Sequence, residues 1–296
     1  LVATLMAGAI LLVAGLIGAG RLIRHVPEPV IEGFTIGIAI VIAVSQIKDL
    51  AGMTGPGLPA DFIPKLAGLW AMRGAIDPAS LALGLACIAA ILALRRIAPR
   101  IPWLVFVVIA ASVASLAALP SVETVAARYG ALPHGLPLPA LPSLSPGLML
   151  ALLPAALTIA FLAGIESLLS AIVADRMISG AHRSNAELIA QGAANLASPL
   201  FGGLPATGAI ARTATNVNAG GRTPVAGIMH ALAIWLAMAV AAPLAGKLAL
   251  PALAALLVVT AWTMSEPHRW AERLRLPTAE LVLLVGTALL TVLADL

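Results

Sequence analysis

Eight apolar stretches dominate this sequence, at 1–20, 29–47, 79–97, 101–119, 147–174, 223–244, 251–264 and 278–293. The hydrocarbon core of a bilayer is about 30 Å thick and takes about 20 helical residues to cross. The stretches approach or meet that length, the seventh being the shortest. The chain as a whole is 61% hydrophobic and only 10% charged, with a mean hydropathy of +1.05, far from a soluble globular balance. An all-α integral membrane fold follows, with no soluble domain.

Two weaker elements, 185–200 and 206–219, lie between the fifth and sixth stretches, and neither is apolar enough to face lipid. Loop charge bears on whether they cross. If every segment reverses the chain, alternate loops on one side carry 11 Lys and Arg residues and the opposite loops carry 5, with Arg212 inside a segment. The richer side is assigned to the cytoplasm. This bias depends on counting both weak elements as crossings, so it supports ten segments over eight. It also explains the net charge of +4 and the pI near 10 as a topology signal, with no nucleic-acid partner expected. The same parity puts Leu1 on the outer side, in apolar sequence without a leader pattern, so the chain is expected to be the middle of a longer protein. The outer loop 132–146, rich in proline, favours an extended path.

Glu166 is the first candidate for chemistry. It lies on the fifth apolar stretch, about five residues, or roughly 7.5 Å, from the middle of the run. A carboxylate at that depth is costly against lipid, so it is expected to face a cavity or a partner. Ser170 is four residues on and shares its helix face, while Gly164 and Ser167 keep the neighbourhood small. Two readings stand: a proton or cation site, or a structural hydrogen bond to a neighbouring helix.

The second candidate is FGGLPATGAIARTATNVNAGG, 201–221. The 14 residues 206–219 would make a helix about 21 Å long, too short to span. Gly202, Gly203, Pro205 and Gly208 break regular structure before it, and Thr207 is expected to cap it. A half-helix starting inside the membrane turns free N–H groups and the positive end of its dipole inward, which suits an anion. Arg212 adds a full charge and a planar fork of donors. The alternative is that Arg212 pairs with Glu166 and ties two helices together.

The remaining polar positions read as structural. Asn185, Glu187, Gln191 and Asn195 are expected to pack the preceding weak segment against the half-helix, with substrate contact the lesser reading. Gly220 and Gly221 end the half-helix. His230 and Gln46 are expected to make interior hydrogen bonds. Trp103, Trp262 and Trp270 sit at segment ends as interfacial aromatics. Cys87, the one cysteine, reads as a small core residue. Walker A, paired His/Glu metal and G-x-S-x-G patterns are absent, so neither enzymatic activity nor a cofactor is expected.

Three blocks carry a resemblance: GRLIRHVPEPVIEGFTIGIAIVIAVSQIKDLAG (20–52), GIESLLSAIVADRM followed by SNAELIAQGAANLASPLFGG, and PATGAIARTATNVNAGGRTPVAGIMHAL. In this order they resemble the SulP family of sulfate permease type anion transporters. The resemblance implies a fold of seven plus seven membrane segments in inverted repeats, divided into a core and a gate domain. This chain would correspond to segments four to thirteen. Residues 1–20 and 147–244 would belong to the core and 29–119 and 251–294 to the gate, with segments one to three, segment fourteen and the STAS domain outside the sequence. Thr207, Gly208, Ala209, Ala211 and Arg212 would line the substrate site. Glu166 and Ser170 would hold the coupling ion, a proton or sodium.

The implied function is coupled, elevator-type transport of an inorganic anion or small dicarboxylate, of sulfate, bicarbonate or fumarate type, by a homodimer in the inner (plasma) membrane. A nucleobase permease of the same plan is the runner-up. It would be expected to carry a second carboxylate where Arg212 stands. An uncoupled anion channel would use the same anion site without a coupled ion.

Overall fold

The computed structural model describes residues 1–25, 27–98, 101, 103–133 and 135–293. In chain order the helices are α1 (Val2–Leu16), α2 (Glu28–Ser45), α3 (Ile47–Leu50), α4 (Phe62–Ala71), α5 (Pro78–Ile97), α6 (Trp103–Ala118) and α7 (Val125–Tyr129). They continue as α8 (Pro146–Ile178), α9 (Ser184–Ala197), α10 (Ile210–Asn218), α11 (Val225–Ala245), α12 (Leu250–Met264), α13 (Trp270–Arg273) and α14 (Thr278–Leu293). Among the described residues the only β pairing is an isolated bridge between Thr124 and Ala249.

Each of the eight apolar stretches forms a helix, because in lipid the helix satisfies every backbone group locally. Among the described residues five helical stretches are long and apolar enough to cross a membrane: Glu28–Leu50, Pro78–Ile97, Pro146–Ile178, Val225–Ala245 and Leu250–Arg273. Local chemistry sets their ends. Ser145 accepts a hydrogen bond from Leu148 N–H (3.3 Å) with Pro146 at the first helical position, and α8 then runs 33 residues to a left-handed Ser179. Asp77 starts α5 the same way, accepting from Ser80 N–H at 2.9 Å.

Compact packing divides the chain into two units, 1–26 with 135–239, and 27–134 with 240–296. In the first unit α1 lies against α9 and α8. The α1–α9 approach is backbone to backbone. A Cβ on Gly8 would stand 2.7 Å from Leu196 N, and one on Gly192 would stand 2.6 Å from Leu12 N. Small residues let the two helices dock without side chains between them, as membrane helices commonly do. Ala7, Leu11, Ala160, Ala163, Leu168 and Leu188 form the core behind this seam.

In the second unit α2 packs on α14 at Gly33 and Gly37, where a Cβ on Gly33 would meet the Leu284 carbonyl. A separate core forms around Ile91, Val108, Ala252 and Val259, and it takes up Cys87 as an ordinary small residue. Ion pairs close one end of this unit: Arg273 contacts Glu32 at 2.9 Å and Glu266 at 3.0 Å, and Arg269 contacts Glu32 at 2.8 Å.

Two expectations change here, and one element is new. His230 is exposed on α11 and makes no hydrogen bond within the described residues, so it is not an interior hydrogen-bonding residue. Gln46 is half-buried and its side chain likewise makes no hydrogen bond among them. The stretch between α3 and α5 also contains α4, whose short, mixed sequence had no membrane-length signal.

Candidate functional site

The first unit turns sharply after α9. Gly202 adopts a left-handed φ of 71°, and Gly203 N–H returns to Ser198 O at 2.9 Å. A Cβ on Gly203 would lie 2.2 Å from Ser198 Oγ, so this position requires glycine. The chain then runs without regular structure to Ala209.

Asn195, fully buried, fixes where that run lies. Its Oδ1 accepts from Ala206 N–H at 2.9 Å and its Nδ2 donates to Ala206 O at 2.8 Å. Gln191 Nε2 donates to the same carbonyl. Two side chains of α9 therefore satisfy a peptide group that has no secondary structure of its own. Burying such a group without partners is expensive. Replacing Asn195 with Ala is expected to cost about 1–3 kcal/mol by orphaning the Ala206 N–H, while Gln191 still serves the carbonyl. Thermal unfolding of the purified protein measures this, and a midpoint equal to wild type would show that Asn195 does not hold the segment.

Beyond this anchor the backbone passes α8 closely: Thr207 Oγ1 donates to Ala163 O at 3.2 Å, and a Cβ on Gly208 would stand 3.1 Å from Ser167 Cα. Helix α10 begins only at Ile210, four residues after the expected start, and has nine residues. Thr207 does not cap it, since its hydroxyl is engaged with α8, and Ala209 takes the cap position without a side-chain bond. The first intrahelical bond runs from Thr213 N–H to Ala209 O at 2.9 Å. The N–H groups of Ile210, Ala211 and Arg212 thus fall outside the helical ladder, the donor end that an anion site needs. The side chain of Ala211 lies outside the described residues.

Arg212 stands in this first turn, exposed, and forms no ion pair among the described residues. The expected alternative, a direct Arg212–Glu166 bridge, is therefore not present, although the charge of Arg212 acts on Glu166. Glu166 is half-buried on α8, with Thr207 as a polar neighbour. Arg212, Thr207 and Glu166 form one arrangement.

Ser170 belongs to another. Its hydroxyl is 2.5 Å from that of Thr213, and Ser167 donates to Glu187 Oε1 at 2.5 Å. These four side chains, with Ala171 and Gly208, line a pocket of about 220 Å³ between α8, α9 and α10. Glu166 is not among the residues that line this pocket. Thr213 was not singled out from the sequence, and Glu187 was read as a packing position. The available signal was spacing: Glu187, Gln191 and Asn195 recur every four residues and so share one face of α9.

This geometry, a short half-helix with an unpaired arginine beside an intramembrane carboxylate, can be set beside known proteins. The model described as the Sulfate permease family matches residues 1–287. The chain belongs to this family. Within the sulfate permease family it is 39% identical over 297 residues to the protein named "Putative sulfate transporter YvdB" of Bacillus subtilis (strain 168), covering 100% of this chain and 56% of that one. It is 30% identical to the bicarbonate transporter BicA of Picosynechococcus sp. (strain ATCC 27264 / PCC 7002 / PR-6), covering 99% and 51% of the two chains. The chain thus spans about half the length of these curated relatives.

Among solved structures, the transmembrane domain of a cyanobacterium bicarbonate transporter BicA superposes with a TM-score of 0.86 at 27% identity, over 99% of this chain and 74% of that one. The overall structure of SLC26A9 superposes with a TM-score of 0.83 at 19% identity, over 98% of this chain and 47% of that one, a likeness of fold alone. This is the all-α, multi-pass membrane transporter fold of the sulfate permease family, and the relatives named above are transporters rather than enzymes.

Proposed function

We propose that the full-length protein is a secondary active transporter of an inorganic anion or small dicarboxylate, of sulfate, bicarbonate or fumarate type, in the plasma membrane. The observation that carries this reading is the start of α10, where three N–H groups outside the helical ladder and the exposed, unpaired Arg212 occur together. Thr207, Gly208, Ala209, Ala211 and Arg212 form this chain's share of the anion site. The anion's charge replaces the partner that Arg212 lacks, and the dipole of α10 adds to the attraction.

In this reading the unit of 1–26 and 135–239 is the moving core and the unit of 27–134 and 240–296 is the gate. The core carries the anion in an elevator movement, within a homodimer. Glu166 and Ser170 on α8 handle the coupling ion, a proton or sodium, whose charge offsets that of the anion. The names of the relatives, a sulfate and a bicarbonate transporter, favour an oxyanion over a heterocycle. Arg212 itself argues against a nucleobase, which offers no formal charge for a guanidinium to pair with.

The test is uptake of labelled sulfate, bicarbonate and fumarate by the full-length protein in proteoliposomes. Arg212→Ala is expected to lower uptake of the cognate anion about ten- to a hundredfold, the weight of a charge-assisted hydrogen-bonding pair. Uptake at the wild-type rate would remove Arg212 from the site. Glu166→Gln is expected to abolish the dependence of uptake on a proton or sodium gradient, and an unchanged dependence would take coupling away from Glu166.

A further inference from the structure

Helix α4 turns its apolar side chains outward. Ile63, Leu66 and Trp70 recur at helical spacing along one stripe and are 59%, 39% and 71% exposed. The opposite face is pinned: Leu69 is buried with Ala51 and Met53, and Leu58 and Met72 pack around them. At ten residues, about 15 Å, α4 is too short to cross a bilayer. It is nevertheless held at one end of two membrane-length stretches, Glu28–Leu50 and Pro78–Ile97. The two meet there, since Asp77 N–H donates to Ala51 O at 3.0 Å. A short helix at the mouth of two spanning stretches, apolar side out, has the chemistry of an interfacial amphipathic helix.

A charged group completes the stripe. The exposed Arg73 guanidinium lies 4.8 Å from the Trp70 ring centroid, and its Nη1 donates to Trp70 O at 2.8 Å. Its remaining donors meet no acceptor among the described residues. Asp77, the nearest carboxylate in sequence, accepts from Ser80 and Ser121 instead. The same four-residue pattern elsewhere in the chain shows what is missing. Trp70-Ala71-Met72-Arg73 recurs as Trp270-Ala271-Glu272-Arg273, and there the guanidinium contacts Glu32 at 2.9 Å and Glu266 at 3.0 Å. Arg73 has the same local setting without the acids, so its position suits an anion that the described residues do not supply.

We propose that α4 is a lipid site in the outer leaflet: Ile63, Leu66 and Trp70 enter the acyl boundary, and Arg73 holds the phosphate of an anionic phospholipid. A planar guanidinium fork matches a phosphate bidentately, and an indole is at home between acyl chains and headgroups. The outer assignment follows from loop charge, because Arg73 belongs to the loops poorer in Lys and Arg. Lipid fits this stripe better than a second copy of the chain does. A protein partner would have to bring both an apolar face and an acid to the membrane surface, where phospholipids already present acyl chains and phosphate together. Bound lipid would steady α4 against α2 and α14, on which it packs, whichever anion the protein carries.

The experiment is tryptophan quenching of the full-length protein in phosphatidylcholine bilayers, by phospholipids brominated on the acyl chain near the headgroup. The Trp70 signal is the difference between wild type and Trp70→Phe. Brominated phosphatidylglycerol is expected to quench it with about fivefold higher apparent affinity than brominated phosphatidylcholine, the weight of one basic side chain at a lipid surface. In Arg73→Gln, measured against its own Trp70→Phe partner, the two lipids are expected to quench equally. Arg73 is exposed and pairs with no acid, so this variant is expected to unfold at the wild-type midpoint. A Trp70 signal that neither lipid quenches means that protein covers the stripe, whether another segment or a second copy, and overturns the proposal. Equal quenching by both lipids in wild type overturns the phosphate contact, as does a phosphatidylglycerol preference that survives in Arg73→Gln. The assay involves no transported anion, so its failure and a failure of the transport reading are read separately.

Discussion

Arg273→Leu is expected to destabilise the protein by about 3–5 kcal/mol, lowering the thermal midpoint by roughly 10 °C. Its side chain is only 8% exposed, and it contacts Glu32, itself 11% exposed, at 2.9 Å and Glu266 at 3.0 Å. It also donates to the Ser265 carbonyl at 2.6 Å. Removing the guanidinium leaves the Glu32 carboxylate desolvated with a much weaker neighbour. That loss dominates, because breaking a buried pair costs more than the pair itself is worth.

Two companions separate this cause from lost packing. Arg273→Met with Glu32→Gln removes both charges and should recover most of the loss. Arg269→Ala removes a side chain that is 38% exposed, where the remaining pairings are screened, and should cost under about 1 kcal/mol. If the Met/Gln pair unfolded as early as Arg273→Leu, the ion pair would not be the source of the stability.

The second large effect is at Gly192. A Cβ there would stand 2.6 Å from Leu12 N and 2.8 Å from Gly8 O, both backbone atoms that cannot rotate away. Gly192→Leu must push α1 off α9, with an expected loss of about 3 kcal/mol or more, at the upper end for overpacked sites. The consequence extends to function, because Gln191 and Asn195 on the same helix hold Ala206 at the entry to α10. Uptake by Gly192→Leu should therefore fall even at temperatures where the variant remains folded. Wild-type uptake and midpoint together would mean that the α1–α9 seam is looser than the structure shows. Gly57, with open space around its Cβ position, is the control: Gly57→Ala should change neither quantity.

Much of the architecture was legible in the sequence. The apolar stretch 147–174 became α8 at Pro146–Ile178, and 278–293 became α14 with the same bounds. The half-helix was also recognisable, because Gly202, Gly203 and Pro205 interrupt regular structure wherever they occur. Its starting residue was not. Thr207 has the chemistry of an N-cap, but in the fold its hydroxyl finds Ala163 O on α8, and a cap depends on which acceptor is nearer. The neighbours of Glu166 and Ser170 were not legible for a related reason: a four-residue spacing places two side chains on one helix face but does not name the side chains that meet it. Ser170 meets Thr213, which is 43 residues away in sequence.

Membrane helices, their approximate ends and the family follow from sequence alone, because a helix closes its hydrogen bonds within a few residues and lipid rewards apolar runs directly. The partners of the buried polar groups were decided by tertiary structure. Glu32 with Arg273, Asn195 with Ala206 and Ser167 with Glu187 each join different elements, the first pair 241 residues apart. Such contacts arise only when helices dock at a definite register, which is set in turn by where glycines permit the backbones to meet.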